Sequence, residues 1–489
     1  MTNLPNHPVL YEINTWAWLN ELSLQAGRPV TLGSVPDETW DALSAWGFDA
    51  VWLMGVWERS PAGIRIAMQN EGLVAEFRRA LPDFTPEDVA GSPYCIRNYS
   101  VDERLGGPKG LAAARQALSE RGMGLVLDFV PNHVAPDHPW VTAHPEYFVL
   151  GDTGDLARAP ADFIQAGESV IARGRDPYFA PWPDVVQLNA FNPGLRKAII
   201  DSLTDIASQC DGVRCDMAML FLNNIFVQTW GLRAGAPPVT EYWTDVIGAV
   251  KAAQPGFIFM AEAYWDKEWE LQQLGFDYCY DKRLYDRLAQ ENAQAVQGHL
   301  HASLDYQARL VRFIENHDEP RAAATFSPDK QRAAALTVAT QMGLRLFHEG
   351  QLEGRKVKLP VFLARRPDEP MDAVLQDFYR RLLGALRLEA LHTGEWRLCY
   401  CSGWPDNASF QNLVAWSWRK DATFVLVVVN LSGAPAQGQV HLPWKDLTGR
   451  LWQLTDRLTG QSFERSGNEM LGPGLYVDLQ PWGAHFFTT

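Results

Sequence analysis

Cysteine is scarce in this 489-residue chain: Cys95, Cys210, Cys215, Cys279, Cys399 and Cys401 are all there are. None forms a Cys-x-x-Cys pair, which speaks against a disulfide scaffold and against a zinc site built from such pairs. Positive charge is short as well. Lysine and arginine number 43 against 58 aspartates and glutamates, a formal net charge of −15. Nothing would then drive counterion release from a polyanion, so no nucleic-acid partner is expected. No uncharged apolar run approaches the ~18 residues that a membrane helix needs, so no membrane partner is expected. The opening residues, MTNLPNHPVLYEINTW, show no basic stretch followed by an apolar one, hence no secretory signal peptide. Together with thiols left reduced, this predicts a cytoplasmic protein. Repeats of fixed period and low-complexity tracts are also missing.

What the chain does have is 47% hydrophobic residues and 19 tryptophans. Apolar or β-rich runs recur at Val9–Trp16, Ala50–Met54, Gly124–Phe129, Gly212–Asp216, Phe257–Glu262, Phe276–Tyr280, Val311–Glu315 and Leu344–His348. Stretches of helical spacing separate them, among them PGLRKAIIDSLTDIASQC, whose proline suits a first helical turn. Eight strands alternating with helices predict an α/β protein, a (β/α)8 TIM barrel over residues 1–390. An open doubly wound sheet is the other arrangement, but no glycine-rich phosphate fingerprint follows the first strand. Long connections at 58–108 and 134–192 follow strands two and three, from the strand ends where barrels carry their chemistry. From 391 to 489 the pattern changes to short alternating strands, read as a C-terminal antiparallel β-sandwich.

Polar residues concentrate at four of the strand ends. LVLDFVPNHV carries Asp128, Asn132 and His133; DGVRCDMA carries Arg214 and Asp216; FIFMAEAYW carries Glu262; RFIENHDEP carries Asn316, His317, Asp318 and Glu319. Singly, such residues serve as helix caps, salt-bridge partners or satisfied core histidines, and Asp128, His133 and His317 could be read as a metal cluster, although no local His-x-x-x-His pair supports one. In a barrel, all four segments converge on one rim. Cleavage of a glycosidic bond needs two carboxyl groups, one protonated and one ionised. Arg214 lies two residues before Asp216, on the same face of a strand, and would keep Asp216 charged. Glu262, ending an apolar strand, suits the proton-holding acid.

Taken in order, DFVPNH, GVRCDMA, FMAEAYW and FIENHDE resemble the four signatures of the α-amylase superfamily, glycoside hydrolase family 13. The resemblance covers residues 8 to 390 and implies a retaining α-glycosidase. Asp216 matches the nucleophile, Glu262 the general acid/base and Asp318 the transition-state stabiliser. Arg214, His133 and His317 match the helpers around the attacked sugar, and Tyr94 the tyrosine that stacks on it. The implied substrate is an α-glucan or malto-oligosaccharide cleaved at α-1,4 bonds. A transferring or isomerising member of the family, maltosyl-transferring or trehalose-forming, is the alternative, and a catalytically inactive glucan-binding scaffold a remote one. No cofactor and no metal site are expected. The family's lysine–histidine pair after the nucleophile is replaced by Met219 and Leu220. Its calcium-ligand aspartate is replaced by Gln187 in Val186-Gln187-Leu188-Asn189, although Asn132 remains as a candidate calcium ligand. Trp265, Trp269, Tyr280 and Tyr285 are candidates either for a sugar platform or for core packing. Oligomeric state is not legible.

Overall fold

A computed structural model describes residues 4–489. Eight parallel strands close into a barrel: β1 (Val9–Asn14), β2 (Ala50–Met54), β3 (Gly124–Phe129), β4 (Gly212–Cys215), β5 (Ile258–Ala261), β6 (Tyr278–Tyr280), β7 (Leu310–Arg312) and β8 (Leu344–His348). β1 pairs with β2 at Leu10↔Ala50 and with β8 at Val9↔Arg345, which completes the ring. The strands are buried along almost their whole length. That is why they read as continuous apolar runs rather than alternating ones.

Helices cover the outside. The longest, Pro193–Gln209, starts with the proline in its first turn, and the Asn192 side chain accepts from the Leu195 N–H. This is an ordinary N-cap. The connection after β2 holds a short antiparallel pair, Trp57–Arg59 with Ile96–Val101, and the helices Pro61–Gln69 and Glu71–Ala80. The connection after β3 holds the pair Phe163–Ala166 and Ser169–Ala172, plus short helices.

Eight further strands form the C-terminal region: β9 (Glu395–Ser402), β10 (Leu413–Lys420), β11 (Thr423–Asn430), β12 (Ala436–His441), β13 (Leu451–Asp456), β14 (Ser462–Ser466), β15 (Leu475–Leu479) and β16 (Ala484–Thr488). Their order is β14-β13-β16-β11-β10-β9-β12-β15, with antiparallel pairings throughout. β9 belongs to two neighbours. Its first half pairs with β10 and its last three residues with β12. Leu413, Ala415, Leu426, Val428, Val440, Leu475 and Val477 fill a core of their own. The alternate residues Val414, Trp416, Trp418, Val425, Val427 and Val429 join the core of the barrel. Period-two alternation thus gives this sheet two apolar faces. The indoles of Trp416 and Trp418 donate to the hydroxyl (3.2 Å) and carbonyl (2.8 Å) of Thr340, just past the helix Pro328–Ala339. Eleven of the 19 tryptophans are buried, so most are packing residues.

Candidate active site

The barrel brings the four polar segments to one rim. Arg214, on β4, stands in register with Asp128 on β3 and Met260 on β5, and is completely buried. Its Nη1 donates to Asp216 Oδ1 at 2.6 Å. Its Nη2 lies 2.8 Å from Glu262 Oε2 and 3.6 Å from Asp318 Oδ2. The nearer contact is out of line for a hydrogen bond, since Nη2 has no hydrogen-bond partner, and acts as a charge contact. The guanidinium is ringed by Tyr94, Trp52 and Tyr280, its carbon 5.2–5.6 Å from their ring centres. One buried cation therefore faces three carboxylates inside a cage of aromatic rings.

Backbone geometry sets the Glu262 carboxylate. Met217 has φ +42°, a left-handed conformation that a methionine rarely adopts. The turn aims its N–H at Glu262 Oε2, 2.6 Å away, while the Tyr264 hydroxyl donates to Oε1 at 2.9 Å. Burial pushes the Glu262 carboxyl up to about 7; Arg214 opposes that rise, and Asp216 and Asp318 add to it. Burial also raises Asp216 above the usual carboxylate range, with Arg214 again opposing.

Asp318 follows the opposite course. Its loop is shaped by the Asn316 side-chain oxygen Oδ1, which accepts the N–H groups of Asp318 and Glu319, each at 2.9 Å. That turn leaves the Asp318 side chain 40% exposed to the cleft. What burial it has works against ionisation, but His317, Arg214 and Lys358 together hold its carboxyl well below the ordinary range. His317 Nε2 stands 2.8 Å from Asp318 Oδ2 and 2.6 Å from the Tyr94 hydroxyl, and its Nδ1 bonds Glu12. Burial disfavours the imidazolium, yet Asp318 and Glu12 raise His317 to about 10. Glu12 itself is completely buried on β1 and was not singled out from the sequence. A lone carboxylate inside an otherwise apolar strand was the signal.

His133 is buried 5.1 Å from the ring of Trp182, and burial lowers it to about 3, so it is neutral. Tyr94, His133, Asp216, Glu262 and Asp318 line one cleft of about 360 Å³. All seven residues singled out for the site thus meet there, Arg214 and His317 through their contacts with the carboxylates. Asp128 does not join them. It accepts from the Trp52 indole (3.0 Å) and the Gly55 N–H (2.6 Å), tying β3 to β2. Gly55 has φ +78° at that turn, and a Cβ there would sit 2.5 Å from Arg59. Met219 and Leu220 are buried and line neither this cleft nor the cavity beside it. Tyr280 and Tyr285 are core residues, whereas Trp265 lines a second cavity of about 530 Å³ that meets the first at Met217 and Tyr264.

At the position matched to a calcium ligand, Gln187 and Asn132 bond to each other. Gln187 Nε2 donates to Asn132 Oδ1 (2.9 Å) and to the carbonyls of Asn132 and Leu188, and Asn132 Nδ2 returns a bond to Gln187 Oε1 (3.2 Å). Both side-chain oxygens are occupied by N–H donors and neither residue is charged. The pair does not fit a calcium ion. Among the described residues no group of three or more His, Cys, Asp or Glu side chains could hold a metal.

Comparison with known proteins decides the family. The model of the α-amylase catalytic domain matches residues 38–354, well over half of the chain. The chain belongs to the α-amylase family. Within it, the alpha-amylase MalA of Haloarcula japonica is 23% identical over 346 residues, covering 69% of this chain and 43% of that protein. An alpha-1,4-glucan:maltose-1-phosphate maltosyltransferase of Bifidobacterium longum is 29% identical over 227 residues, 45% of this chain and 24% of its own. The chain spans less than half the length of these two curated relatives. The α-amylase fold holds over the whole chain. A noncanonic maltogenic alpha-amylase from Thermotoga neapolitana superposes with a TM-score of 0.70 at 19% identity, covering 99% of both chains. An alpha-amylase from Geobacillus thermoleovorans gives 0.69 at 17% identity, covering 99% of this chain and 98% of its own. No helix among the described residues is long and apolar enough to cross a membrane.

Proposed function

We propose that this chain is a retaining glycoside hydrolase that cleaves α-1,4 bonds in malto-oligosaccharides or in chains derived from glycogen or starch. The observation that carries the proposal is the buried guanidinium of Arg214 holding Asp216 and facing Glu262, whose carboxyl burial pushes up to about 7. Arg214 engages Asp216 Oδ1 and leaves Oδ2 without a hydrogen-bond donor in the structure. In the first step, Oδ2 attacks the anomeric carbon. The bond from that carbon to the glycosidic oxygen breaks, and Glu262 gives its proton to the departing oxygen. In the second step, Glu262 takes a proton from water, the water oxygen bonds to the anomeric carbon, and Asp216 leaves. Asp318 and His317 hold the sugar hydroxyls, and Tyr94 and His133 face the same ring.

Glycosyl transfer is the second reading. Relatives named for maltosyl transfer, and the cavity beyond Met217 and Tyr264, favour an acceptor other than water. Asp176, Asp266, Glu268 and Asp286 face only Lys282 and Arg283 in that cavity, which favours a neutral sugar over a phosphate as acceptor. We place the reaction in the cytoplasm, supported by six cysteines that are all free and buried.

The test is chromatography and anomeric NMR of products from maltose through maltoheptaose, with and without glucose or phosphate, beside Asp216→Asn. Shorter sugars released first as α-anomers are expected. β-anomers would overturn the retaining step. Longer or isomerised products would replace hydrolysis by transfer, and unchanged sugars would remove α-1,4-glucans as substrate.

A further inference from the structure

Large aromatic side chains are exposed at few places in the C-terminal sheet, and three of them fall on one face. Tyr400 is 64% exposed, Tyr476 48% and Trp404 37%. The cause lies in strand alternation. Cys399, Cys401, Val440, Leu475 and Val477 point into the apolar core of this region. Their neighbours Tyr400, Ser402, Gln439, His441, Tyr476 and Asp478 must therefore point the other way. Register then sets them side by side. Tyr400 pairs with His441, Ser402 with Gln439, Gln439 with Tyr476, and Gln437 with Asp478.

Each of the three exposed rings has one aromatic partner. Tyr400 stacks on His441 with centroids 5.3 Å apart, and Trp404 meets Tyr476 edge to face at 6.0 Å. Between them runs a line of hydrogen-bonding groups. Asn407 Nδ2 donates to Gln437 Oε1 (3.3 Å), and Gln437 Nε2 donates to Asp478 (3.1 Å). Ser402 and His441 share a bond of 2.7 Å. Tyr400 and Tyr476 sit two strands and two residues apart, about 12 Å by ordinary strand spacings, the span of two to three sugar units.

Charge selects the occupant. Segments 400–407, 437–441 and 476–478 contain no lysine or arginine, and Asp406 and Asp478 are their only acids. A phosphate, a nucleic acid or an acidic peptide would meet no cation here. Flat rings that alternate with amides, a hydroxyl and a carboxylate complement a neutral polyol, whose C–H faces stack and whose hydroxyls hydrogen-bond. We propose that this face is a second, non-catalytic binding site for an α-glucan chain. It holds the polymer while the barrel cleft acts on it. The inference rests on the α-glucan reading of the cleft for its choice of polymer, and on nothing else in it.

The test is native electrophoresis of the full chain through gels with and without soluble glycogen, carried out on the Asp216→Asn protein so that no polymer is consumed. Glycogen is expected to retard this protein. Adding Trp404→Ala and Tyr476→Ala should weaken the apparent Kd by about fivefold or more, and Trp404→Phe should retain binding. In the active protein, the same pair of alanines should leave kcat/KM for maltotetraose within about twofold and lower it for glycogen. Equal retardation of the alanine variant and its parent, or no retardation of the parent, would overturn the site. Retardation that depends on these rings in a protein inert on every glucan would keep the site and remove the hydrolase reading.

Discussion

The mouth of the barrel and the C-terminal sheet are both densely buried, yet they are made of different material. At the mouth, Glu12, Asp128, Arg214, Asp216, Glu262 and His317 are all out of water. In the sheet, the buried residues are mostly apolar, and the one buried carboxylate, Asp456, is met by His485 at 2.8 Å. Burying ionisable groups costs free energy unless partners compensate, and at the mouth compensation is incomplete. Glu12 Oε2 and Arg214 Nη2 lack hydrogen-bond partners, and burial pushes Glu262 up to about 7 and raises Asp216 above its ordinary value. The contrast teaches that stability is generated in one region and spent in the other. Changes at the mouth should therefore alter chemistry far more than folding, and changes in the sheet should do the reverse.

The largest expected effect is that of Asp216→Asn, which removes the attacking oxygen. Steady-state turnover should fall roughly ten-thousandfold or more, with the thermal midpoint unchanged or higher. A variant with substantial activity would break the contrast at its strongest point. Glu262→Gln should lower turnover roughly a thousandfold and sharpen the comparison through pH. The wild-type rate should fall as pH rises through about 7, where Glu262 loses its proton. It should fall on the acid side as Asp216 is protonated, above the pH of an ordinary aspartate. Stability follows with a definite sign. The folded state raises the Glu262 pKa, so the stability it gives is present below the unfolded value and lost as pH rises through about 7. Calorimetry from pH 6 to 8 should thus show Glu262→Gln gaining in melting temperature relative to wild type. A widening deficit would contradict the burial argument.

Glu12→Gln is a smaller test of the same region. It removes a charged partner from His317, a loss of about 1.5–3 kcal/mol and so roughly ten- to a hundredfold in rate. The deficit should deepen at high pH, because His317 depends on Glu12 and Asp318 to stay protonated. A pH-independent loss would mean that Glu12 only packs. Least affected in rate should be Trp418→Ala, whose indole bonds the Thr340 carbonyl. It should cost about 3–5 kcal/mol of stability and leave the activity per folded molecule intact, as read by denaturant titration beside kcat.

Much of the scaffold was legible because its logic is local. Barrel strands buried on both faces must be apolar runs, and the polar residues that end them must reach the rim. β9 lacks a clean alternation for a physical reason. Its buried residues Trp396, Cys399 and Cys401 break the two-residue phase, where the strand passes from β10 to β12. β14 is exposed or half-buried throughout and carries no apolar alternation. At the site, the carboxylates and Arg214 could be read because their chemistry is written in their side chains. The Met217 N–H could not, since it acts through a backbone angle. Tyr264 had an aromatic's ordinary alternatives, and Glu12 lay hidden in a strand that otherwise looked like plain core.

The pairing of β1 with β8 also bears on how the protein is made. Glu12 and His317 touch across 305 positions of sequence, and β1 has both its barrel neighbours only when β8 is present. Contacts of such long range form late in folding. A chain still on the ribosome, or one halted before residue 348, has its nucleophile and its acid but no closed ring to hold them. Incomplete translation products should consequently be inert, and activity should appear all at once, when the last barrel strand docks beside the first.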